Sequence, residues 1–125
     1  MYKFNYIKVG TIEEASSALS NNPEAKILAG GMTLIPTMKQ RLASPEQLID
    51  IRQVGELKFI KNDSNNVVIG SVSNHHDVST SDIVKDNLPS LSKLAEGIGD
   101  PHVRNMGTIG GSITNNDPTA DYPAA

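Results

Sequence analysis

Two glycine pairs, Gly30–Gly31 and Gly110–Gly111, each follow an apolar, strand-like run and precede polar residues. Adjacent glycines permit a positive φ and a close approach of the backbone to a ligand, so that consecutive N–H groups can converge on an anion. Two such segments in one chain are suited to gripping both phosphates of a dinucleotide. The alternative for the first pair is a tight turn between a strand and a helix, and for the second a bulged β-turn.

Composition narrows the function classes. A chain of 125 residues corresponds to about one domain. The absence of cysteine excludes disulfides, thiolate metal sites and iron–sulfur ligation by this chain. The net charge is −3 and the basic residues are scattered, so no nucleic-acid partner is expected. No apolar run is long enough to span a membrane, and residues 1–9 lack the apolar core of a signal peptide, which predicts a soluble, cytoplasmic protein.

The first part of the chain alternates between strand and helix patterns. Thr11 and Glu14 form a T-x-x-E capping box at the start of a helix, which ends at the sequence Asn-Asn-Pro. A second helix over 33–41 requires Pro36 in its first turn. Strands are predicted over 2–9, 26–29 and 47–51. Short connections between these elements predict a parallel β-α-β-α-β unit.

The pattern changes after Arg52. Strands over 57–61 and 67–71 flank an Asn- and Asp-rich turn, which is typical of a hairpin. Helices are predicted over 79–87 and 90–98, and residues 103–114 are predicted to be extended and interrupted by glycines. We therefore expect an α+β fold with two lobes, residues 1–52 and 53–125. The second lobe has few strands and an abrupt end, which indicates an incomplete lobe.

Polar side chains accompany both glycine segments. Thr33 follows the first pair, and Thr108 and Ser112 flank the second. No G-x-G-x-x-G or Walker pattern is present, so neither a Rossmann nor a P-loop site is predicted. Asp117, before a proline, is expected to form a turn. Asp121 is expected either to accept hydrogen bonds from the ribose of a ligand or to cap a helix.

Histidines do not form a recognisable catalytic or metal site. His75 and His76 are adjacent in sequence, so they point to different faces, and no third ligand lies at metal-binding spacing. We expect the segment from His75 to Asp77 to be a solvent-facing loop. His102 is expected to have a positional role. No catalytic residue and no metal ligand is predicted, so any redox chemistry must come from a bound cofactor.

Several motifs, in order along nearly the whole chain, resemble the FAD-binding (medium) subunit of molybdenum hydroxylases. This family includes carbon monoxide dehydrogenase and xanthine dehydrogenase. The resemblance is strongest from Ile98 to Ala125. The motifs are Ala29-Gly30-Gly31-Met32-Thr33-Leu34, Leu48-Ile49-Asp50-Ile51, Ile98-Gly99-Asp100, Val103-Arg104-Asn105, Gly107-Thr108-Ile109-Gly110-Gly111-Ser112 and Asp117-Pro118 through Asp121 to Ala124.

The resemblance implies a two-lobed FAD-binding domain of the vanillyl-alcohol oxidase type. It also implies two partners: a large subunit that carries the molybdenum cofactor and hydroxylates the substrate, and a small iron–sulfur subunit. Electrons would pass through the iron–sulfur clusters to FAD and on to an external acceptor. The family's domain continues well beyond residue 125, which implies a chain truncated at its C-terminus. The alternative is a remnant that folds or assembles with partner subunits without holding flavin.

The resemblance also implies a set of cofactor-binding residues. The two glycine segments would hold the pyrophosphate, Ile27 and Leu28 would line the approach, Asp121 would contact the ribose or ribityl group, and Ile98 would pack near the cofactor. Met32 departs from the family, since many relatives carry a polar residue there, often histidine. The full set is Ile27, Leu28, Ala29, Gly30, Gly31, Met32, Thr33, Leu34, Ile98, Thr108, Ile109, Gly110, Gly111, Ser112 and Asp121.

Overall fold

The computed structural model describes all 125 residues of the chain. They divide into two compact units, Met1–Glu56 and Leu57–Ala125. Helices and strands are mixed along the chain, in agreement with the predicted α+β content. The assignment of residues 1–52 and 53–125 to two functional lobes stays a prediction.

The first unit contains a three-stranded parallel sheet in the order β1-β3-β2, so β3 is the central strand. Ile49 of β3 is paired with Ile7 on one side and with Ile27 on the other. This confirms the predicted parallel β-α-β-α-β arrangement. The elements are β1 (Asn5–Lys8), α1 (Ile12–Asn21), β2 (Lys26–Leu28), α2 (Leu34–Lys39) and β3 (Gln47–Asp50).

Local chemistry explains where α1 begins. Thr11 is the N-cap, and its hydroxyl accepts a hydrogen bond from the Glu14 N–H at 3.1 Å. The Glu14 carboxylate accepts from the Gly10 N–H at 2.7 Å rather than from Thr11 itself. The hydrogen bond from the Glu14 N–H to the Thr11 hydroxyl is therefore present as predicted. The reciprocal hydrogen bond of the capping box comes from Gly10, one residue before Thr11.

Aliphatic side chains form the core of the first unit. Leu48 and Ile49 in the central strand are 1% and 0% exposed, as expected for a parallel strand that is covered on both faces. Leu48 forms one buried cluster with Leu28 and Met38, against which Leu34 packs. Leu28, the last residue of β2, and Leu34, the first residue of α2, lie on either side of the first glycine pair, and both are thus anchored in the core.

The second unit begins with an antiparallel hairpin and continues as helices. Residues 64 and 65 connect the two strands, and Ser64 adopts the left-handed conformation with φ 56°. The hairpin confirms the prediction, although its strands are shorter than expected. The elements are β4 (Ile60–Asp63), β5 (Asn66–Ile69), α3 (His75–Thr80), α4 (Asp82–Asn87), α5 (Pro89–Glu96), α6 (Pro101–Met106) and α7 (Ile109–Asn115).

Two predictions for this unit are wrong. The single helix expected over 79–87 is divided at Ser81, which ends α3 and whose hydroxyl caps α4 through the Val84 N–H. The extended segment expected over 103–114 is helical. Asp100 and Pro101 start α6, and Thr108 starts α7, so cap residues determine the conformation despite three glycines in the segment.

The core of the second unit joins the hairpin to the helices. Val78, Val84, Ala95 and Ile109 form its buried cluster, against which Tyr122 packs. Ile109, directly before the second glycine pair, is 8% exposed. The second glycine pair is therefore fixed to the core by its neighbour in sequence.

Candidate functional site

The first glycine segment, residues 29–33, connects β2 to α2. None of its five backbone N–H groups donates a hydrogen bond to an acceptor in the protein. Four of the five residues are partly buried, and Thr33 is exposed. A run of unused N–H groups at the carboxyl end of a parallel strand is the arrangement by which α/β folds bind phosphates.

Gly31 has the conformation that requires glycine in this segment. Its φ is 72°, and a β-carbon at this position would lie 2.9 Å from Leu28 Cδ1 and 3.1 Å from Ile35 Cγ1. Its carbonyl accepts the Ile35 N–H at 3.0 Å, which fixes the start of α2. The carbonyl side of Gly31 is thus occupied, and its N–H side is available to a ligand.

The other predicted residues of this segment differ in exposure. Ile27 is 38% exposed, whereas Leu28 is buried. Met32 is partly buried. The hydroxyl of Thr33 makes no capping hydrogen bond to α2, so it is available to a ligand. Pro36 is the third residue of α2, within its first turn as predicted.

The second glycine segment, residues 107–112, has a different hydrogen-bond pattern. The N–H groups of Ile109 and Gly110 donate to the carbonyls of Ser73 and Ser71, both at 3.0 Å. The Gly111 N–H donates to the Thr108 hydroxyl at 3.1 Å, and the Ser112 N–H donates to the Thr108 carbonyl at 3.0 Å. The expectation of a run of free N–H groups is therefore wrong for residues 109–112.

Only a few hydrogen-bonding groups of this segment remain available to a ligand. The N–H of Thr108 has no protein acceptor, and the Thr108 and Ser112 hydroxyls donate to no protein atom. Gly110 is required by packing, because a β-carbon there would lie 2.5 Å from both Cβ and the carbonyl oxygen of Ser71. A bulged β-turn is also excluded, since Gly110 and Gly111 lie in the first turn of α7.

Ile98 and Asp121 lie in the same unit as the second segment. Ile98 is 6% exposed, and its carbonyl accepts a hydrogen bond from Arg104 Nη1 at 2.5 Å. Asp121 is exposed and makes no capping hydrogen bond to the short 3-10 helix that it precedes, so the helix-cap alternative fails. Asp117 accepts the Thr119 N–H at 2.9 Å, which confirms its predicted turn role.

The expectation of a solvent-facing loop at His75 is wrong. His75 is the first residue of α3 and is 6% exposed, and its Nδ1 lies 2.9 Å from the Tyr122 hydroxyl. Burial lowers the pKa of His75, although the negative charge of Asp121 opposes this. Burial, assisted by Asp121, raises the pKa of Tyr122 to about 12. Asp77 belongs to the capping box of α3 with Asn74.

Metal-binding clusters, membrane-spanning helices and surface grooves add no residue to the two glycine segments. No group of three or more His, Asp or Glu side chains is placed to hold a metal ion. No helix is long and apolar enough to cross a membrane. A shallow groove between β1 and α1, lined by Lys8 and Glu14 among others, contains none of the predicted site residues.

Comparison with known proteins decides the family. Residues 2–125 match the model of the FAD binding domain in molybdopterin dehydrogenase. The chain belongs to this family. FAD is therefore the cofactor that the family indicates, as predicted.

Individual relatives and a solved structure support the same family assignment. The chain is 42% identical over 121 residues to the glyceraldehyde dehydrogenase medium chain of Sulfolobus acidocaldarius, covering 97% of this chain and 43% of the relative. It is 44% identical over 123 residues to the carbon monoxide dehydrogenase medium chain of Hydrogenophaga pseudoflava, covering 98% and 43%. The solved structure of that carbon monoxide dehydrogenase matches with a TM-score of 0.95 at 44% identity, over 98% of this chain and 43% of the matched chain. The chain thus spans less than half the length of these relatives.

Proposed function

We propose that this chain binds FAD as part of the electron-transfer subunit of a molybdopterin-dependent dehydrogenase. The observation that carries the proposal is the run of five unused backbone N–H groups at residues 29–33. A pyrophosphate offers several anionic oxygens in a row, and such a run of donors satisfies them without a lysine or arginine side chain. The donor set of the first unit therefore fits FAD.

The residues of the first unit have separate roles in this proposal. Ala29, Gly30 and Gly31 donate N–H groups to the pyrophosphate, with Met32, Thr33 and Leu34 continuing the segment into α2. The Thr33 hydroxyl adds a side-chain donor. Ile27, which is exposed, lines the approach to the cofactor. Leu28 supports the segment from the core.

The second unit contributes mainly through side chains. Thr108 supplies one N–H and a hydroxyl, and Ser112 supplies a hydroxyl. Gly110 and Gly111 shape the start of α7, because a β-carbon would meet Ser71 at Gly110 and the Thr108 hydroxyl oxygen at Gly111, and their N–H groups are used internally. Asp121 accepts hydrogen bonds from the ribose or ribityl hydroxyls. Ile98 and Ile109 provide the buried apolar support.

The wider role follows from the family. Bound FAD supplies an electron carrier that exchanges one or two electrons, and the protein positions it. In this role the subunit passes electrons from iron–sulfur clusters to an external acceptor. Its partners are a large molybdenum-cofactor subunit and a small iron–sulfur subunit, in the cytoplasm. The fold of the FAD-binding domain in this proposal is two-lobed and of the vanillyl-alcohol oxidase type.

Separate titrations with three flavins test the proposal. The purified chain is titrated with FAD, FMN and riboflavin, and binding is followed by flavin absorption and fluorescence. Because residues 29–33 are proposed to recognise the pyrophosphate, FAD should bind at least about tenfold more tightly than riboflavin, a difference of about 1.4 kcal/mol. Equal affinity for FAD and riboflavin contradicts the assigned role of this segment.

The same titration separates the alternative function. A folded chain with no saturable binding of any flavin supports a remnant that assembles with partner subunits without holding the cofactor. Circular dichroism of the same sample shows whether the chain is folded. Flavin that co-purifies with the chain excludes this alternative.

A further inference from the structure

The hydrogen bond between Tyr122 and His75 joins residues that are farther apart in sequence than those of any other side-chain hydrogen bond in the second unit. The Tyr122 hydroxyl and His75 Nδ1 are 2.9 Å apart, although the residues are separated by 47 positions in sequence. Their ring centroids are 5.4 Å apart. Tyr122 remains protonated at neutral pH, so its hydroxyl donates to Nδ1 in the His75 tautomer that carries its proton on Nε2.

His75 also contacts the second glycine segment. Its backbone N–H donates to the Gly107 carbonyl at 3.1 Å. Its ring lies directly against Gly107, because a β-carbon at Gly107 would be 2.8 Å from His75 Nε2. The neighbouring Asn74 is paired with Thr108 in an isolated β-bridge. His75 therefore holds the residue that immediately precedes Thr108.

Tyr122 follows Asp121 directly and is partly buried against the cluster that contains Ile109. His75 lies far from both segments in sequence, and its contacts thus join two segments that follow each other near the end of the chain. One contains Thr108 and Ser112, and the other contains Asp121, and both supply proposed cofactor ligands. No other side-chain hydrogen bond connects residues 121–122 to the remainder of this unit.

We propose that Tyr122 and His75 are positioning residues, whose hydrogen bond holds the Gly107–Ser112 segment in place beside Asp121 and thereby sets the affinity of this unit for FAD. The inference rests on the proposed function for its cofactor part. Its structural part, the restraint on Gly107, concerns the chain without ligand.

Substitution of Tyr122 by phenylalanine removes only the hydroxyl and keeps the ring in the core. In Tyr122→Phe we expect amide hydrogen exchange at Gly107 and Ile109 to become roughly three- to tenfold faster, which corresponds to the loss of one net hydrogen bond. FAD affinity should fall by a similar factor of about five. Exchange is followed by NMR and affinity by flavin fluorescence.

Tyr6→Phe is the matched control, because the Tyr6 hydroxyl donates to the buried Asp50 carboxylate in the first unit. This variant loses a tyrosine hydroxyl outside the second unit and should change neither exchange at Gly107 nor FAD affinity. His75→Asn provides a rescue test, since its side chain keeps an acceptor near the Nδ1 position. Its exchange rates should lie closer to wild type than those of His75→Leu.

Each outcome decides one part of the inference. Unchanged exchange at Gly107 and Ile109 in Tyr122→Phe overturns it. Faster exchange with unaltered FAD affinity overturns the cofactor part and leaves an ordinary structural contact. If the wild-type chain binds no FAD, the proposed function fails, and the exchange rates alone then support or overturn the restraint on Gly107.

Discussion

The carboxylate of Asp50 and the guanidinium of Arg52 form an ion pair at the carboxyl end of β3, with Oδ2 and Nη2 2.5 Å apart. Arg52 Nε donates to both carboxylate oxygens at 3.0 Å, and the Tyr6 hydroxyl of β1 donates to the same group. Asp50 is 2% exposed. The network therefore satisfies a buried charge and ties the central strand to its neighbour.

This network predicts a specific acid sensitivity. Burial raises the pKa of Asp50, but the hydrogen bonds from Arg52 and Tyr6 outweigh it and lower the pKa from 3.8 to about 2. A lowered pKa in the folded state stabilises the protein above pH 3.8, and this contribution is lost as the pH falls toward 2. Asp50→Asn should therefore reduce the free energy of unfolding by about 2 kcal/mol at pH 7.

Urea unfolding at pH 7, 4 and 2 measures this effect. The difference between Asp50→Asn and wild type should shrink at the lowest pH. Asp86→Asn is the control, because Asp86 is exposed and belongs to none of the ion pairs. A difference between Asp50→Asn and wild type that does not depend on pH would show that the network stabilises the fold by packing alone.

The close contact between Gly110 and Ser71 predicts that a larger residue at position 110 destabilises the fold. In a helix alanine is ordinarily more stable than glycine by about 1 kcal/mol. At Gly110, however, the new methyl group would meet the Ser71 backbone, so Gly110→Ala should destabilise the chain by about 1–3 kcal/mol. Thermal unfolding measures the change. Gly99→Ala is the control, because a β-carbon at Gly99 meets no atom within 4 Å. Equal stability of the two variants contradicts the close contact.

Two N-cap threonines separate stability from cofactor binding. Thr108 caps α7 and Thr11 caps α1, each through its hydroxyl at 3.1 Å. Thr108→Val and Thr11→Val should each cost about 1 kcal/mol of unfolding free energy. Only Thr108→Val should weaken FAD binding, because only Thr108 belongs to a proposed cofactor segment. Fluorescence titration of both variants tests this, and equal FAD affinities would remove Thr108 from the site.

The burial of His75 predicts that the free energy of unfolding depends on pH near neutrality. Its pKa in the folded state lies below the ordinary 6.5, because burial disfavours the charged ring. The unfolded chain therefore takes up the proton first, and stability falls as the pH drops below about 6.5. His75→Asn should flatten the unfolding free energy between pH 7.5 and pH 5.5, roughly one unit on each side of that value. The same slope in wild type and variant would assign the pH dependence to another group.

Sequence patterns were sufficient where local chemistry determines structure. The alternation of strands and helices in residues 1–52, the helix start at Thr11 and the hairpin turn near Ser64 all follow from capping and turn preferences. The first glycine segment could be located for the same reason. Gly31 lies at the end of an apolar strand, and its positive φ is the conformation that the glycine pair indicated.

Long-range contacts account for what the sequence could not show. Residues 101–115 carry three glycines, which made helices unexpected. The interaction of Gly110 with Ser71 became visible only in the folded chain. His75 is buried and bonded to Tyr122, 47 residues away. The spacing of Asn74 and Asp77, the two residues of a capping box, was the one available signal for helix α3.

The assignment of residues 29–33 as the pyrophosphate site is tested most simply by comparing the FAD affinity of Gly31→Ala with that of Gly55→Ala. A methyl group at Gly31 forces a residue with φ 72° against Leu28, whereas at Gly55 it meets no atom within 4 Å. We predict that wild type and Gly55→Ala bind FAD equally, and that Gly31→Ala binds about tenfold more weakly. Equal affinities for all three proteins, with each folded by circular dichroism, would contradict the assignment of residues 29–33 as the pyrophosphate site.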